Sequence, residues 1–415
     1  MNLKINVNYI SLLSFNYFLL LVFMNQSIGL SYVCPVSILF ILLLYKINKI
    51  RYSILTILYL SFLTYAIIIS SISFFNNNVD FYRFHINLCG LLVLIFSTAL
   101  IIGHNVNLKK FFSLLNNFSL FIFIFGILEY ITKFNITKFL RNNDYINTYL
   151  IGEGRICSLF SHPLGYASFI IFIFAFSFIF PFKSTKKHFI FIVLLFINLL
   201  FTKSRIFLFS FFLISVFFFI KQLNLNKFSV AYNYIKAAFL SIFALLFSYF
   251  LFFNKINEAI FSVLSRFTSL PAENSGGIRA SVINNFYTFI KQNDVGDLFL
   301  GNGVGSSFKF MIDNPIYYWI GDECHLWTET TDNSYISFFL DYGVIGTIII
   351  LFMILYSIKQ IFFTSKRILY FCYVYLLCIY ISLWIMESLY WPTISFSFGI
   401  TLGIIDKYSS KNLNL

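Results

Sequence analysis

The strongest constraint in this sequence is a succession of apolar runs, each long enough to cross a bilayer and separated from the next by a few polar residues. Their cores fall at about 8–24, 28–46, 53–75, 84–103, 111–132, 164–182, 188–202, 206–221, 233–254, 335–358, 368–387 and 393–405. Roughly 20 apolar residues wound as a helix span the hydrocarbon core of a membrane. The pattern therefore predicts an all-α polytopic membrane protein of about twelve transmembrane helices. Composition agrees, with 59% hydrophobic and 11% charged residues over 415 positions and a mean hydropathy of +0.84. A soluble chain of this length needs far more polar surface. Only Lys4 precedes the first run and no small-residue cleavage site follows it, so that run is expected to be retained. Cysteines at 34, 89, 157, 324, 372 and 378 show no metal-ligand spacing, and most fall in apolar runs as small core residues do.

Lysine and arginine set the orientation. With both ends of the chain inside, the cytoplasmic segments hold Lys4; Lys46, Lys49 and Arg51; Lys109 and Lys110; Lys183, Lys186 and Lys187; Lys221 and Lys227; Lys359, Lys366 and Arg367; and Lys407 and Lys411. These loops are short and basic, as the positive-inside bias requires. The net charge of +13 is thus mostly an orientation signal at an anionic membrane face. It lies in scattered loops and never forms one patch, which argues against nucleic acid as a partner.

Segment 255–334 then falls outside and carries nine acids against five bases. A long acidic loop in a chain of short loops is the natural place for function. The expected organisation is nine helices over 1–254, a long external loop with short helices and active-site elements over 255–334, and three helices with a cytoplasmic tail over 335–415. The outer segment 133–163 is the next longest.

Three arginines occupy costly places. Arg155 ends "IGEGR" just before a span, Arg205 sits in "FTKSRIFLF" between two apolar runs, and Arg279 follows the glycines of "NSGGIR". An arginine drawn to the middle of a helix costs roughly 2.5–3.5 kcal/mol, and much less near the interface. Each can be an ordinary interfacial cation whose side chain snorkels to water. Together they suggest an anion site on the outer face, because a guanidinium offers a planar fork of donors to phosphate oxygens and keeps its charge. No carboxylate cluster of DxD type and no His/Cys metal set occurs in the sequence. A phosphate-handling site here is therefore expected to be cationic, with no metal and no other cofactor.

The motifs "GRICSLFSHPLGYAS", "TKSR", "RFTSL…SGGIR", "LFLGNGVGSS" and "DNSYISFFLDYGVIG" occur in that order between Arg155 and Gly346. In this the chain resembles the O-antigen polymerase and O-antigen ligase family of bacterial membrane glycosyltransferases. The last motif is the most specific. Ligases of the family commonly carry His, then Asn or a similar residue, nine residues, Gly, two residues and Gly. Here Asp332 and Asn333 precede nine residues, Gly343 and Gly346, so the spacing holds and the histidine is an aspartate. That departure looks more like the polymerase branch. "GNGVG" resembles a phosphate loop only superficially, since no strand precedes it and no GK[ST] follows; a turn between helices is the better reading.

The resemblance implies a membrane glycosyltransferase architecture of GT-C type. It implies an undecaprenyl-diphosphate-linked oligosaccharide as donor, at the outer (periplasmic-side) face of the bacterial cytoplasmic membrane. A chain-length regulator and a flippase would be its partners beside membrane lipids. Arg155, Arg205, Arg279 and Arg266 would bind the diphosphate. Asp332 is the first candidate for the base that deprotonates the acceptor hydroxyl and His325 the second. His162, Asn333, Tyr335 and Asp341 would support them. Asp332 has an alternative as the helix N-cap, since "TDNSYISFF" is a good helix start. Gly343 and Gly346 share a helix face and suit close packing.

Three functions compete: polymerising polysaccharide repeats, ligating a finished glycan to lipid A core or protein, and moving a lipid-linked precursor across the membrane. A transporter of this size usually shows internal repeats and polar groups at mid-membrane. Here the halves do not mirror each other, and polar groups gather on one side, which favours the enzyme.

Overall fold

The computed structural model describes residues 7–23, 37, 52–75, 84–135, 154–160, 162–223, 275–292, 295–320, 323–327, 330–384, 386, 389 and 391–409. Among them the chain is an all-α membrane protein with one small β-hairpin. Five helices are long and apolar enough to cross a bilayer: Ile54–Phe75, Asn87–Asn105, Leu108–Thr132, Arg205–Gln222 and Ser334–Phe363. Shorter apolar helices run over Ile10–Leu19, Pro163–Ser177 and Arg367–Ser382. All eight fall on runs that the sequence marks as spans. Expected spans 188–202 and 393–405 are also helical, over Thr185–Phe201 and Pro392–Ser409. Expected spans 28–46 and 233–254 lie outside the described residues, apart from Ser37.

The chain gathers into two compact units. The first comprises Met1–Asn25 and Asn107–Ser269. Its described helices are α1 (Val7–Phe23), α5 (Leu108–Thr132), α6 (Pro163–Ser177), α7 (Thr185–Phe201) and α8 (Arg205–Leu223). Phenylalanine stacking fills the space between them. Phe112 of α5 lies parallel to Phe176 and Phe180 at 4.7 and 4.9 Å, and Phe174 of α6 stacks on Phe211 of α8 at 4.2 Å. Such pairs add about 0.5–1.5 kcal/mol each beyond the area they bury.

The second unit comprises Gln26–Val106 and Leu270–Leu415. Its membrane part holds α2 (Ile54–Phe75), α3 (Phe84–Ile95, π-wound) continuing into α4 (Phe96–Asn105), α12 (Ser334–Phe363), α13 (Arg367–Ser382) and α14 (Pro392–Ser409). Tyr59 and Phe62 of α2 hold the middle of it, with Tyr59 against Phe96 and Phe398 and Phe62 against Phe338 and Tyr342. The carboxylate of Asp406 accepts from the Ser53 amide at 2.8 Å and the Thr56 hydroxyl at 2.7 Å, which ties the end of α14 to the start of α2.

The described part of the expected outer loop belongs to this second unit. It forms α9 (Ser275–Gln292), α10 (Val295–Leu300), α11 (Ser306–Asp313) and strands β1 (Ile316–Ile320) and β2 (Glu323–Trp327). Short helices are expected there from the sequence; the antiparallel hairpin is not. Its register pairs Ile316 with Trp327 and Ile320 with Glu323, the last pair with two residues between them. "IYYWI" consists wholly of aromatic and β-branched residues, which suit a strand better than a helix. Ile278, Val282, Phe310, Met311, Ile316, Ile336 and Leu340 form one apolar cluster that fastens α9, α11 and β1 to the start of α12. The expected boundary at 254–255 lies outside the described residues.

Candidate functional site

The mouth of α12 carries the motif "TDNSY", and each of its residues has a definite task. Asn333 is the N-cap: its side-chain oxygen accepts from the amides of Tyr335 at 3.0 Å and Ile336 at 3.3 Å. Asparagine caps of this kind satisfy donors that the first helical turn leaves without partners. Thr331 accepts from the Asn333 amide, and its hydroxyl is hydrogen-bonded to that of Ser337 at 2.7 Å. Ser334 donates its amide to the Leu383 carbonyl and its hydroxyl to the Met386 carbonyl, and the Tyr335 hydroxyl donates to the Tyr380 carbonyl at 2.8 Å. Four of the five residues therefore anchor the helix start, three of these bonds to residues 380–386.

Asp332 is the exception. The capping alternative for it is overturned, because the next residue holds the cap. Its backbone is left-handed, with φ of 50°, a conformation that aspartate tolerates better than most side chains. One carboxylate oxygen lies 3.3 Å from an Arg279 terminal nitrogen, and the other accepts the Thr330 hydroxyl at 3.0 Å. Thr330 is itself held, its carbonyl accepting from the Trp327 indole at 2.8 Å. Both partners of the ion pair are about one-third exposed, 33% for Arg279 and 28% for Asp332. Burial raises the pKa of Asp332 from the ordinary carboxylate value, against the opposing effects of the Arg279 charge and the hydrogen bonds from Thr330 and Arg279. The Arg279 Nε is buried and makes no hydrogen bond. The site thus pairs a partly open acid, its pKa raised by burial, with a guanidinium that retains donor capacity.

His325, the second candidate base, lies in β2 opposite Tyr318 in the hairpin register. Arg266 lies outside the described residues. Asp341 does not join Asp332. It is 1% exposed, and its carboxylate accepts the Ser307 amide at 2.9 Å at the start of α11. A carboxylate at a helix N-terminus is well placed for the helix dipole. The glycine loop is joined to the same point. The Asn302 and Gly303 amides donate to the carbonyls of Leu340 and Asp341 at 3.2 and 2.7 Å. Those carbonyls are available because α12 is interrupted at Gly343, whose φ of 62° is not helical. A side chain at Gly343 would collide with the Phe299 carbonyl and the Gly301 amide. "GNGVG" is accordingly a joint between α10 and α11 that locks onto α12, as the reading of it as a turn anticipates.

In the first unit, the structure brings together two of the sequence motifs. The Arg155 Nε donates to the Thr202 carbonyl at 3.0 Å, and the Ile156 amide donates to the Phe201 carbonyl at 3.2 Å. "GRICS" thus lies along "TKSR", the turn that starts α8 at Arg205. His162 is the N-cap of α6, its Nδ1 accepting from the Leu164 amide at 3.1 Å, with Pro163 in the first helical position. Burial, and after it the Arg155 charge, lower the His162 pKa to about 3. The imidazole is therefore neutral near pH 7, with its remaining proton on Nε2.

Sequence reading misses Glu129. It sits in the last turns of α5, is 1% exposed, and gathers three donors: the Cys157 amide at 3.2 Å, the Ser158 amide at 2.6 Å and the Asn135 side chain at 2.7 Å. It clamps the loop that carries Arg155. A lone acid in an apolar run is itself a signal, and "GILEYIT" shows one. Asn198 of α7 is a second omission. Its side chain bonds the Tyr166 hydroxyl at 2.8 Å and the Phe123 carbonyl at 3.0 Å.

Arg155, Arg205 and His162 belong to the first unit and Arg279, Asp332, Asn333, Tyr335 and Asp341 to the second. Among the described residues no group of three or more His, Cys, Asp or Glu side chains is arranged to hold a metal ion.

No curated protein matches the chain at a significant level. A family model described as O-antigen ligase matches residues 190–351, from α7 into the middle of α12. The match takes in "TKSR", "SGGIR", the glycine joint and "DNSY", and begins after Arg155 and His162. Residues 190–351 of this membrane protein, with Arg205, Arg279 and Asp332 among them, are thus similar to the O-antigen ligase family.

Proposed function

We propose that the protein is a glycosyltransferase that polymerises lipid-linked oligosaccharide repeats into a surface polysaccharide. The donor is an undecaprenyl diphosphate at the outer face of the bacterial cytoplasmic membrane. The observation that carries this reading is the Arg279–Asp332 pair at the mouth of α12, 3.3 Å apart and partly open to solvent. Such transfer needs two groups: a base for the acceptor hydroxyl and a fixed cation for the departing diphosphate.

In the proposed reaction the hydroxyl of the acceptor sugar gives its proton to the Asp332 carboxylate. The oxygen bonds to the anomeric carbon of the donor as the bond from that carbon to the diphosphate oxygen breaks. Negative charge collects on the leaving diphosphate, where Arg279 stabilises it. A raised Asp332 pKa suits a base, since a weakly basic carboxylate is a poor proton acceptor. Arginine can supply the electrostatic stabilisation without a metal ion. A chain-length regulator and a flippase would act beside the enzyme.

Aspartate in the place where family ligases commonly carry histidine favours polymerisation. The family description favours the second reading, ligation of a finished glycan to lipid A core or protein. Deleting the gene and resolving the surface glycan on gels separates them. A ladder that collapses to a single repeat supports the polymerase. Loss of attached glycan with lipid-linked chains accumulating supports the ligase, and loss of outer-leaflet intermediates supports a flippase and overturns both. Complementation with Arg279→Ala or Asp332→Asn is expected to leave the collapsed ladder while the protein stays in the membrane.

A further inference from the structure

Segment 295–305 reads from sequence as part of an external loop, yet its contacts lie well down the membrane helices. The Leu300 carbonyl accepts the Tyr65 hydroxyl at 2.6 Å, and the Val304 amide donates to the Ser70 hydroxyl at 3.0 Å. Tyr65 lies ten residues before the end of α2 at Phe75, about 15 Å along the helix at 1.5 Å per residue. Ser70 lies five residues before that end, about 7 Å along it. A second ruler agrees. Gly301 packs on Tyr342 and Gly343, and Gly343 lies nine residues into α12 from Ser334, about 14 Å. The hydrocarbon core is about 30 Å thick, so its outer half spans about 15 Å.

We infer that residues 295–305 form a re-entrant element sunk into the outer half of the bilayer, with the outward side of α10 facing lipid hydrocarbon chains. Two further observations agree with this. Irregular backbone at membrane depth is tolerated only where its polar groups are satisfied inside the protein. Here the amides of Asn302, Gly303 and Val304 and the carbonyl of Leu300 all bond to groups on α2 or α12, and Asp341 takes the Ser307 amide at the start of α11. Three apolar side chains of α10 are exposed. Val295 is 70% exposed, Phe299 51% and Leu300 49%. This placement also explains why a membrane helix carries Asp341: the carboxylate fastens the start of α11, where the chain leaves the re-entrant element.

The test uses the full-length protein reconstituted in lipid vesicles, with Phe299→Trp compared with the parent. The added emission is expected to be blue-shifted, to be largely lost in lipids brominated on their acyl chains, and to resist acrylamide in the water phase. Val295→Trp repeats the measurement at a more exposed position, where little packing opposes the larger ring. If the emission added by both is quenched by acrylamide and untouched by brominated lipid, the element lies in water and the inference fails. The readout does not involve glycosyl transfer, so its outcome is independent of the proposed activity.

Discussion

Asp332 and Asn333 are adjacent, polar and nearly the same size, and the structure gives them different tasks. Asn333 closes the first turn of α12, while Asp332 turns away in a left-handed conformation to meet Arg279. Replacing Asn333 by Ala is therefore expected to cost about 1 kcal/mol of stability, seen as a lower thermal transition in detergent. Asp332→Asn keeps a side chain that tolerates this backbone and leaves the cap intact. It is expected to preserve the fold and to slow glycosyl transfer by about 10²–10⁴-fold, measured with purified lipid-linked donor. The acid limb of the wild-type rate profile should be displaced upward from that of an unperturbed aspartate, because burial raises the Asp332 pKa and the base works only when deprotonated. His162 carries the opposite sign. Its folded pKa, about 3, lies below the ordinary 6.5. Its contribution to stability is thus full above about 6.5 and is lost as pH falls toward 3. Replacing it by Asn, which caps without titrating, should flatten that part of the stability profile. The candidate residues were legible in the sequence as residue types. Which neighbour caps and which pairs was not, since both side chains suit either task.

At the scale of elements, the joint between α10, α11 and α12 depends on two backbones passing where a side chain would collide. Gly343 combines a φ of 62° with contact to the Phe299 carbonyl and the Gly301 amide. Gly343→Ala is expected to cost at least about 1–2 kcal/mol for the backbone alone, with added loss from displacing α10. Limited proteolysis between α9 and α12 would report it. Gly296→Ala is the control: nothing lies within 4 Å of a Cβ placed there, and alanine favours a helix, so stability should hold or rise slightly. Glu129 fixes the other motif-bearing loop. Glu129→Ala would leave the Cys157 and Ser158 amides buried without acceptors, at about 1–3 kcal/mol each. Glu129→Gln, which keeps one acceptor oxygen, should be milder in size-exclusion profiles after heating. The spacing of Gly343 and Gly346 marks the place of close packing in the sequence. It does not reveal that Gly343 interrupts the helix, because a helical glycine and a kinked one look alike in a string of residues.

For the whole molecule, long apolar runs separated by basic loops make a multi-pass membrane protein unavoidable, and all eight apolar helices found fall on those runs. The division into two compact units is a different matter. The first helix groups with 107–269, and 26–106 groups with 270–415, so neighbours in sequence separate and distant segments meet. Tyr65 reaching Leu300 and Ser53 reaching Asp406 are such meetings. Arg279 and Asp332, 53 positions apart, are another.

The sequence by itself determined what repeats locally: apolar length, the basic loops, helix starts and the family motifs, all readable within a few tens of residues because the bilayer imposes one rule on every span. The tertiary structure alone decided which polar groups pair, that Asp341 serves a helix end and Asp332 a guanidinium, and that a hairpin and a glycine joint lie within the presumed loop. Hydrogen bonds and ion pairs depend on separations of about 3 Å between residues far apart in the chain, and no local pattern encodes such distances.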